Sequence, residues 1–590
     1  MSSTARRPSL LRRIAVGLPA GVLVFACTAQ PTPSPISGPS ASAPPTDRPT
    51  APSTDRPTGS ATSPTAPPTP TPPTPAPPPV AHRIGVRVAD GAGELFDRET
   101  GERYVPRGAN LVRLDGYHVT LTPGYYDPDR IEAMLARMER DGYDVVRVFH
   151  DHRRGGLGGD AGLPGAYLDD VTDLLRRAKA HRITVILTQD WLPDGEAYAF
   201  SSDPGIENVN SLYLSRGGVE ANARFFRDFA AGLVARRAPL DALLAYELRN
   251  ELHFTDRFPP FSLGSGKVTT ANGKTYDLSS ADERTRLLQD GLVFWIDRVR
   301  QAILAVDPTA LVAVGFFQPQ GPNPSRIGDD RLIETKAAIL RSSADLIDLH
   351  GYPGGELDLG QLVENFKLPK VTQKPILLGE FGAARAYYPN AEDAVRALVE
   401  WQIESCGYGF DGWLAWTWDS AEQPEFWNAL DADGAIEKAL SPALRPDPCA
   451  LGGLDLAVEL TRGATARASR ALGDGPAANA IDGKADMIWN AGAGPAQWLE
   501  IDLRGARTVD EIRLLVSQYP AGATTHVVSV RAAGGSWRKV ATLSGRTTDG
   551  QWLDVRPAEA LAGIRYIRIE TAASPSWVAW REVSVLGSGE

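Results

Sequence analysis

Cysteine is scarce: 590 residues hold three, Cys27, Cys406 and Cys449. That excludes a disulfide-stapled scaffold and leaves the fold to a hydrophobic core. Basic charge is also in short supply, with 61 Lys and Arg against 72 Asp and Glu and a net charge of −11. No basic block interleaved with aromatics offers the footprint that neutralises a phosphate backbone, so nucleic acid is not expected as a partner. No glycine-rich phosphate loop is found. The apolar run Ile14–Ala26 is too short to span a bilayer as a helix. From Pro31 to Val80 the chain lacks almost anything apolar and holds 19 of the 47 prolines. Such a segment cannot bury a core and extends as a semi-rigid spacer of ~3 Å per residue, on the order of 100 Å in all.

What remains is ample. The length predicts two or three folded units once the tails are set aside. The 13 Trp and 16 Tyr supply flat amphipathic rings that pack on sugar faces as readily as in cores. At the N-terminus Arg6, Arg7, Arg12 and Arg13 precede the short apolar run, which reads as an export signal. The run closes on Val24-Phe25-Ala26-Cys27, which resembles the lipobox of bacterial lipoproteins. The resemblance implies a signal peptide over 1–27, lipidation of Cys27 and a membrane contact through that lipid alone; ordinary cleavage nearby, with secretion, is the alternative. Arg6-Arg7 suggests twin-arginine export, but the following residues match that pattern poorly. With Cys27 carrying lipid, Cys406 and Cys449 remain, and an exported protein permits one disulfide between them. Residues 28–81 form the linker.

From 82 to 450 short aliphatic runs alternate with amphipathic helical patterns. The runs are Tyr104–Asn110, Val145–Phe149, Thr184–Thr188, Leu243–Leu248, Leu311–Val314, Leu346–Leu349, Ile376–Leu378 and Gly412–Ala415. Eight strands with helices between them predict an α/β fold, a (β/α)8 TIM barrel, over a doubly wound open sheet. After Cys449 the helical period disappears. "QWLEIDL", "THVVSVRAA", "IRYIRIE" and "REVSVLG" alternate as strands of an all-β sandwich over 455–588.

Reactive groups in a barrel sit at the C-terminal ends of its strands. Those ends are polar here: "VVRVFHD", "LTQDW", "LRNE", "LHGY", "LLGEFG" and "AWTWD". Taken in order, Arg147, Asn250-Glu251, His350-Gly351-Tyr352, Gly379-Glu380 and Trp416 resemble the clan A retaining glycoside hydrolases, most closely family 5, the cellulase and mannanase family. "RYVPRGAN" resembles that family's opening strand. The resemblance implies that Glu251 is the acid/base and Glu380 the nucleophile, with Arg147 favouring an ionised Glu380 and an apolar neighbour favouring a protonated Glu251. It implies that Asn250 binds the sugar's 2-hydroxyl, that Tyr352 orients the nucleophile and that Trp416, with Trp418 as rival, floors the reacting subsite. His350 completes the binding set. The family's third strand ends in a histidine; here Gln189-Asp190-Trp191 stand in that place, and Asp190 or His150 is the candidate replacement. Trp191, Tyr213, Phe254, Phe258, Phe261 and Trp427 are candidates to line a sugar cleft or to pack loops down.

"NAIDGKADMIWN", "QWLEIDL" and "WREVSVLG" resemble the discoidin-type (coagulation factor 5/8 type C) domain, whose sugar-binding branch is carbohydrate-binding family 32. This implies a carbohydrate ligand, with Trp489, Tyr519, His526 and Trp577 as candidate contacts and Trp498 in the core. Asp482, Asp486 and Glu582 are candidate ligands of a structural calcium. No cofactor is expected for the chemistry. The expectation is an exported, surface-anchored or secreted monomer that hydrolyses a β-linked polysaccharide or oligosaccharide of glucan or mannan type. Two alternatives stand: a carbohydrate-binding protein on a degenerate barrel, and a solute receptor, which predicts two α/β lobes about a hinge.

Overall fold

The structure, a computed structural model, describes residues 82–588 apart from 112–119, 122–123, 151–161, 194, 323–324, 327–328, 356, 420–422, 452–453 and 455. The expected signal peptide, Cys27 and the linker lie outside the described residues. Among the described residues no helix is long and apolar enough to cross a membrane.

Eight strands close into a barrel: β1 (Arg107–Leu111), β2 (Val145–Phe149), β3 (Thr184–Thr188), β4 (Leu243–Glu247), β5 (Val312–Phe316), β6 (Leu346–His350), β7 (Ile376–Phe381) and β8 (Gly412–Ala415). Every neighbouring pair is parallel and β8 pairs back onto β1. The architecture is the expected barrel, not an open sheet or two lobes. β1 begins three residues later than the apolar run, because Pro106 has no N–H to give to a ladder. The helices around it include α1 (Pro128–Arg140), α2 (Gly165–Ala180), α3 (Arg216–Ala235), α4 (Ala281–Leu304), α5 (Lys336–Arg341), α6 (Leu359–Asn365), α7 (Ala391–Cys406) and α8 (Asp431–Leu440), with a short further helix at Val209–Leu214. Each lays an apolar stripe on the barrel; in α1 it is Ile131, Met134, Leu135 and Met138, at the three- and four-residue spacing of a helix face.

Alternation along the strands sorts side chains into layers. The lower inward layer is apolar: Val145, Ile186, Leu244, Ala245, Ala313, Leu346, Leu377 and Leu414, plugged from below by Ile84 and Leu95 of an N-terminal hairpin. Two residues further along come Arg147, Thr188, Glu247, Gly315, Asp348, Gly379 and Trp416, so apart from that one ring the layer above the plug is polar or empty of side chain. Cys406, at the end of α7, is bonded to Cys449 with Cα atoms 5.9 Å apart. This closes the barrel's C-terminal tail onto its last helices.

The all-β domain is built on β9 (Gln497–Val516), β10 (Gly522–Arg531), β11 (Arg538–Thr547), β12 (Leu561–Ala573) and β13 (Ala579–Ser588). β9 serves two layers: its first half pairs with β12 and Thr465–Ala468, its second with β13 and Trp552–Val555. Leu499, Ile501, Ile567, Ile569, Val583 and Val585 meet in the core around Trp489 and Trp580. Trp498, expected in that core, points the other way, since its neighbours Leu499 and Ile501 fix the inward phase; Arg568 lies 4.8 Å over its ring. The domain is docked on α7: Arg513 pairs with Asp393, Arg462 reaches Glu400 and Glu404 at 2.8 Å each, and the Arg396 Nε donates to the Ala457 carbonyl. These groups line a cavity of about 610 Å³.

Candidate active site

Arg147 is the centre of the mouth of the barrel. Wholly buried on β2, its guanidinium donates from Nε to Glu247 Oε2 at 2.6 Å and from Nη2 to Glu247 Oε1 at 3.1 Å. Nη1 donates to Glu380 Oε1 at 2.7 Å and to Asn110 Oδ1 at 2.8 Å, while Nη2 also reaches Asn250 Oδ1 at 2.7 Å. Asp348 Oδ2 lies 3.3 Å from Nε. One planar fork thus fixes groups on strands one, four, six and seven.

Glu380 projects from β7 with each oxygen held by one donor: Oε1 by Arg147, and Oε2 by the Tyr352 hydroxyl at 2.6 Å. Glu251, just beyond β4, accepts from His350 Nδ1 at 3.1 Å, and the same nitrogen lies 3.4 Å from Glu380 Oε2. One carboxylate oxygen of each glutamate and a His350 nitrogen lie within 4.8 Å of one another. A second group, Glu247, Asp348 and His350, is as compact. Arg147 pairs with Glu247 and Glu380, and His350 faces Glu251, which reads as a network of ion pairs.

The electrostatics depart from expectation. Burial pushes the Glu380 carboxyl up to about 7, against the downward pull of the His350 and Arg147 charges and the Tyr352 hydrogen bond. Arg147 does favour the ionised form, as expected, but its effect is outweighed by the loss of water. Burial also raises the Glu247 carboxyl against the pull of Arg147. For His350 burial works toward the neutral ring, yet the charges of Glu380 and Asp348, with the hydrogen bond to Glu251, carry it up to about 10.

Of the residues singled out in the sequence, Arg147, Asn250, Glu251, His350, Tyr352 and Glu380 are brought together here. Trp416 closes the adjacent wall, its indole N–H donating to Gln423 Oε1 at 2.6 Å and its ring edge-on to Phe149 at 6.1 Å. Trp418 is not part of this wall: it lies beyond the end of β8 in the helical layer, edge-on to Tyr143 at 5.7 Å. His150 also faces outward, because Val145, Arg147 and Phe149 take the inward phase; it stacks on Phe229 at 4.5 Å and bonds the Tyr167 hydroxyl. Asp190 pairs with Arg249 at 3.6 Å, and Arg249 covers the Trp191 ring at 4.0 Å. Tyr213 and Phe254 pack on each other at 5.2 Å, Phe261 lies against Phe254, and Arg385 covers Trp427 at 3.7 Å, so these rings serve as loop packing.

Asn110, Thr188, Glu247 and Asp348 were missed. Their signal was the strand alternation: each occupies an inward-facing position of its strand. The glycines of that layer make room for them. A Cβ on Gly315 would stand 2.3 Å from Glu247 Oε1, and one on Gly379 would stand 1.9 Å from Asp348 Oδ1.

In the all-β domain, Trp489 is buried and His526 packs on Trp580 at 4.7 Å, burial holding its imidazole down at about 4; neither meets solvent. Tyr519 is 91% exposed and Trp577 56% exposed, and their loops adjoin, since Gly522 packs against Pro575. Asp482, Asp486 and Glu582 do not bring their carboxylate oxygens within 4.8 Å of one another; among the described residues the groups of three His, Cys, Asp or Glu that are so close are the two in the barrel. Asp482 accepts from the Lys484 N–H and Glu582 from the Gly483 N–H, while Asp486 is exposed.

Comparison with known proteins divides along the same boundary. Residues 464–583 match the model of the F5/8 type C domain. No curated protein matches the chain. Among solved structures, the chain is similar to the exo-β-1,4-mannosidase Op5Man5 from Opitutaceae bacterium strain TAV5, at 20% identity over 60% of this chain and 58% of that one, with a TM-score of 0.39. It is also similar to the β-mannanase of the blue mussel Mytilus edulis, at 16% identity over 63% of this chain and 99% of that one, TM-score 0.39. The family 32 carbohydrate-binding module of C. perfringens NanJ, solved with galactose, is 22% identical over 22% of this chain and 97% of its own, TM-score 0.20. The chain spans 58% of the length of the mannosidase. Residues 464–583 are an F5/8 type C domain, and they follow a closed (β/α)8 barrel whose mouth gathers Glu251 and Glu380 around Arg147 and His350.

Proposed function

We propose that the protein is a retaining glycoside hydrolase acting on a β-linked polysaccharide or oligosaccharide of glucan or mannan type. The observation that carries this is the approach of Glu251 and Glu380 to within 4.8 Å, oxygen to oxygen, beside His350. A pair of carboxyl groups about 5 Å apart is the spacing of double displacement, whereas inversion leaves room for a water between them. Glu251 gives its proton to the glycosidic oxygen as the Glu380 carboxylate attacks the anomeric carbon, forming a glycosyl ester and releasing the leaving sugar. Glu251, now ionised, takes a proton from a water that attacks the same carbon and frees Glu380. Asn250 turns its oxygen to Arg147 Nη2, which leaves its amide N–H groups for the sugar's 2-hydroxyl. Trp416 is the floor on which the ring packs.

The all-β domain binds glycan through Tyr519 and Trp577, the large exposed rings on adjoining loops. The lipidated Cys27 and the Pro-rich spacer hold both domains off a membrane surface. The test is reducing-sugar release from glucans, mannan, xylan and galactans, by the wild-type protein beside Glu380→Gln. The expected result is cleavage of one polysaccharide and a loss of several orders of magnitude in the variant with binding retained. Equal slow release by both overturns the nucleophile; binding without cleavage by either supports the reading of a carbohydrate-binding protein on a degenerate barrel.

A further inference from the structure

Asp348 lies at the bottom of the same cluster with a burial that its surroundings barely justify. Both of its oxygens are buried and neither has a hydrogen bond of ordinary geometry. The charges that face them are Arg147 Nε at 3.3 Å and His350 Nε2 at 3.6 Å. Arg147 is already divided among Glu247, Glu380, Asn110 and Asn250. A buried carboxylate is costly without a cation of its own, and beside Arg147 the one within reach is His350, through Nε2. The other ring nitrogen, Nδ1, faces Glu251 Oε1 at 3.1 Å and Glu380 Oε2 at 3.4 Å. Carboxylates therefore stand on both sides of one imidazole, and a ring with acceptors at both nitrogens keeps both protons.

We propose that Asp348 is a positioning residue: by accepting the charge of His350 Nε2–H it holds the ring as an imidazolium whose Nδ1–H is directed between Glu251 and Glu380. The groups around His350 are Glu251 from the end of β4, Glu247 from β4, Arg147 from β2, Asp348 on its own strand and Glu380 from β7. A fixed cation beside the nucleophile favours its ionised form without lending it a transferable proton. The shift of His350 toward a lasting positive charge agrees with this arrangement. The proposal rests on Glu251 and Glu380 as the reacting pair only for its kinetic consequence; the state of His350 is independent of it.

The experiment follows the imidazole nitrogens of the full chain by nuclear magnetic resonance, with His350 assigned by comparison with His350→Gln. In the wild-type protein His350 is expected to stay doubly protonated above pH 8. In Asp348→Asn it is expected to titrate at least two pH units lower. On the polysaccharide that the wild type cuts, the acid limb of kcat/KM for Asp348→Asn moves up by about one pH unit, a loss of roughly tenfold on that side. A merely structural role would lower the rate by one factor at every pH. A wild-type His350 that titrates near 6.5 overturns the proposal, and needs no variant to fold. If no glycan is cut, the reading of the pair as a hydrolase fails while the nitrogen titration still decides the role of Asp348.

Discussion

Arg147 shows how much of the site hangs on one side chain. It is a planar fork with five donors, and the barrel supplies five acceptor atoms in its plane or against its edge: both oxygens of Glu247, Glu380 Oε1, Asn110 Oδ1 and Asn250 Oδ1. A lysine keeps the charge but brings a point where a fork is needed. In Arg147→Lys the ammonium satisfies some of these oxygens and leaves others buried without a donor. The expected result is a destabilisation of about 3–5 kcal/mol, the cost of breaking a buried pair, seen as a lower midpoint in urea unfolding. A loss of roughly a hundredfold in kcat is expected with it, the size of effect that accompanies removal of one preorganised donor. A variant with wild-type stability and rate would show that the fork is incidental. Residue identity alone announced the participants at the strand ends, since Glu251, His350, Tyr352 and Glu380 stand where a barrel places reactive groups. It did not announce Glu247 or Asp348, because a carboxylate within a strand looks like a misplaced surface residue until its inward partner, Arg147, is known.

At the scale of the element, phase decides more than position. β2 reads Val145, Arg147 and Phe149 inward, and His150, the next residue, faces the helices. That much was legible in the sequence by counting in twos. Trp418 was not, because β8 ends at Ala415 and alternation gives no guidance past a strand's end. The same logic makes a steric prediction. Gly379 interrupts the inward layer of β7 where Asp348 crosses from β6, and a methyl group there would stand 1.9 Å from one Asp348 oxygen and 2.1 Å from the other. Gly379→Ala therefore forces β6 and β7 apart or expels the Asp348 side chain. A lowering of Tm with a cost of about 1–3 kcal/mol or more is expected, and Asp348→Ala in the same chain should restore part of it. Thermal melts of the single and double variants check this. If Gly379→Ala is harmless, or if the second substitution only adds to the damage, the close approach is not what the glycine is there to allow.

At the scale of the whole molecule, the joint that docks the F5/8 type C domain onto α7 buries carboxyl groups and raises their affinity for protons. Burial pushes Asp482 up to about 6 and raises Glu582 well above the usual carboxylate range; it raises Glu400 and Glu404 too, with Arg462 pulling the other way. A carboxyl raised in the docked state contributes stability that is fully present below its free value, near 4, and is lost as pH rises through the docked value. The sign is opposite to that of an ordinary surface ion pair. Docking is thus expected to weaken as pH rises toward 8, the change due to Asp482 running between its free value near 4 and about 6. Proteolysis of the connecting segment 451–457 measures it: cleavage should be faster at pH 8 than at pH 5 by more than the protease's own pH response on a peptide of that sequence. Asp482→Asn, which is neutral at every pH, should flatten the difference. A joint cut equally at both pH values, or more slowly at pH 8, would mean that Arg396, Arg462 and Arg513 offset the buried carboxyls and that the two domains act as one body across this range.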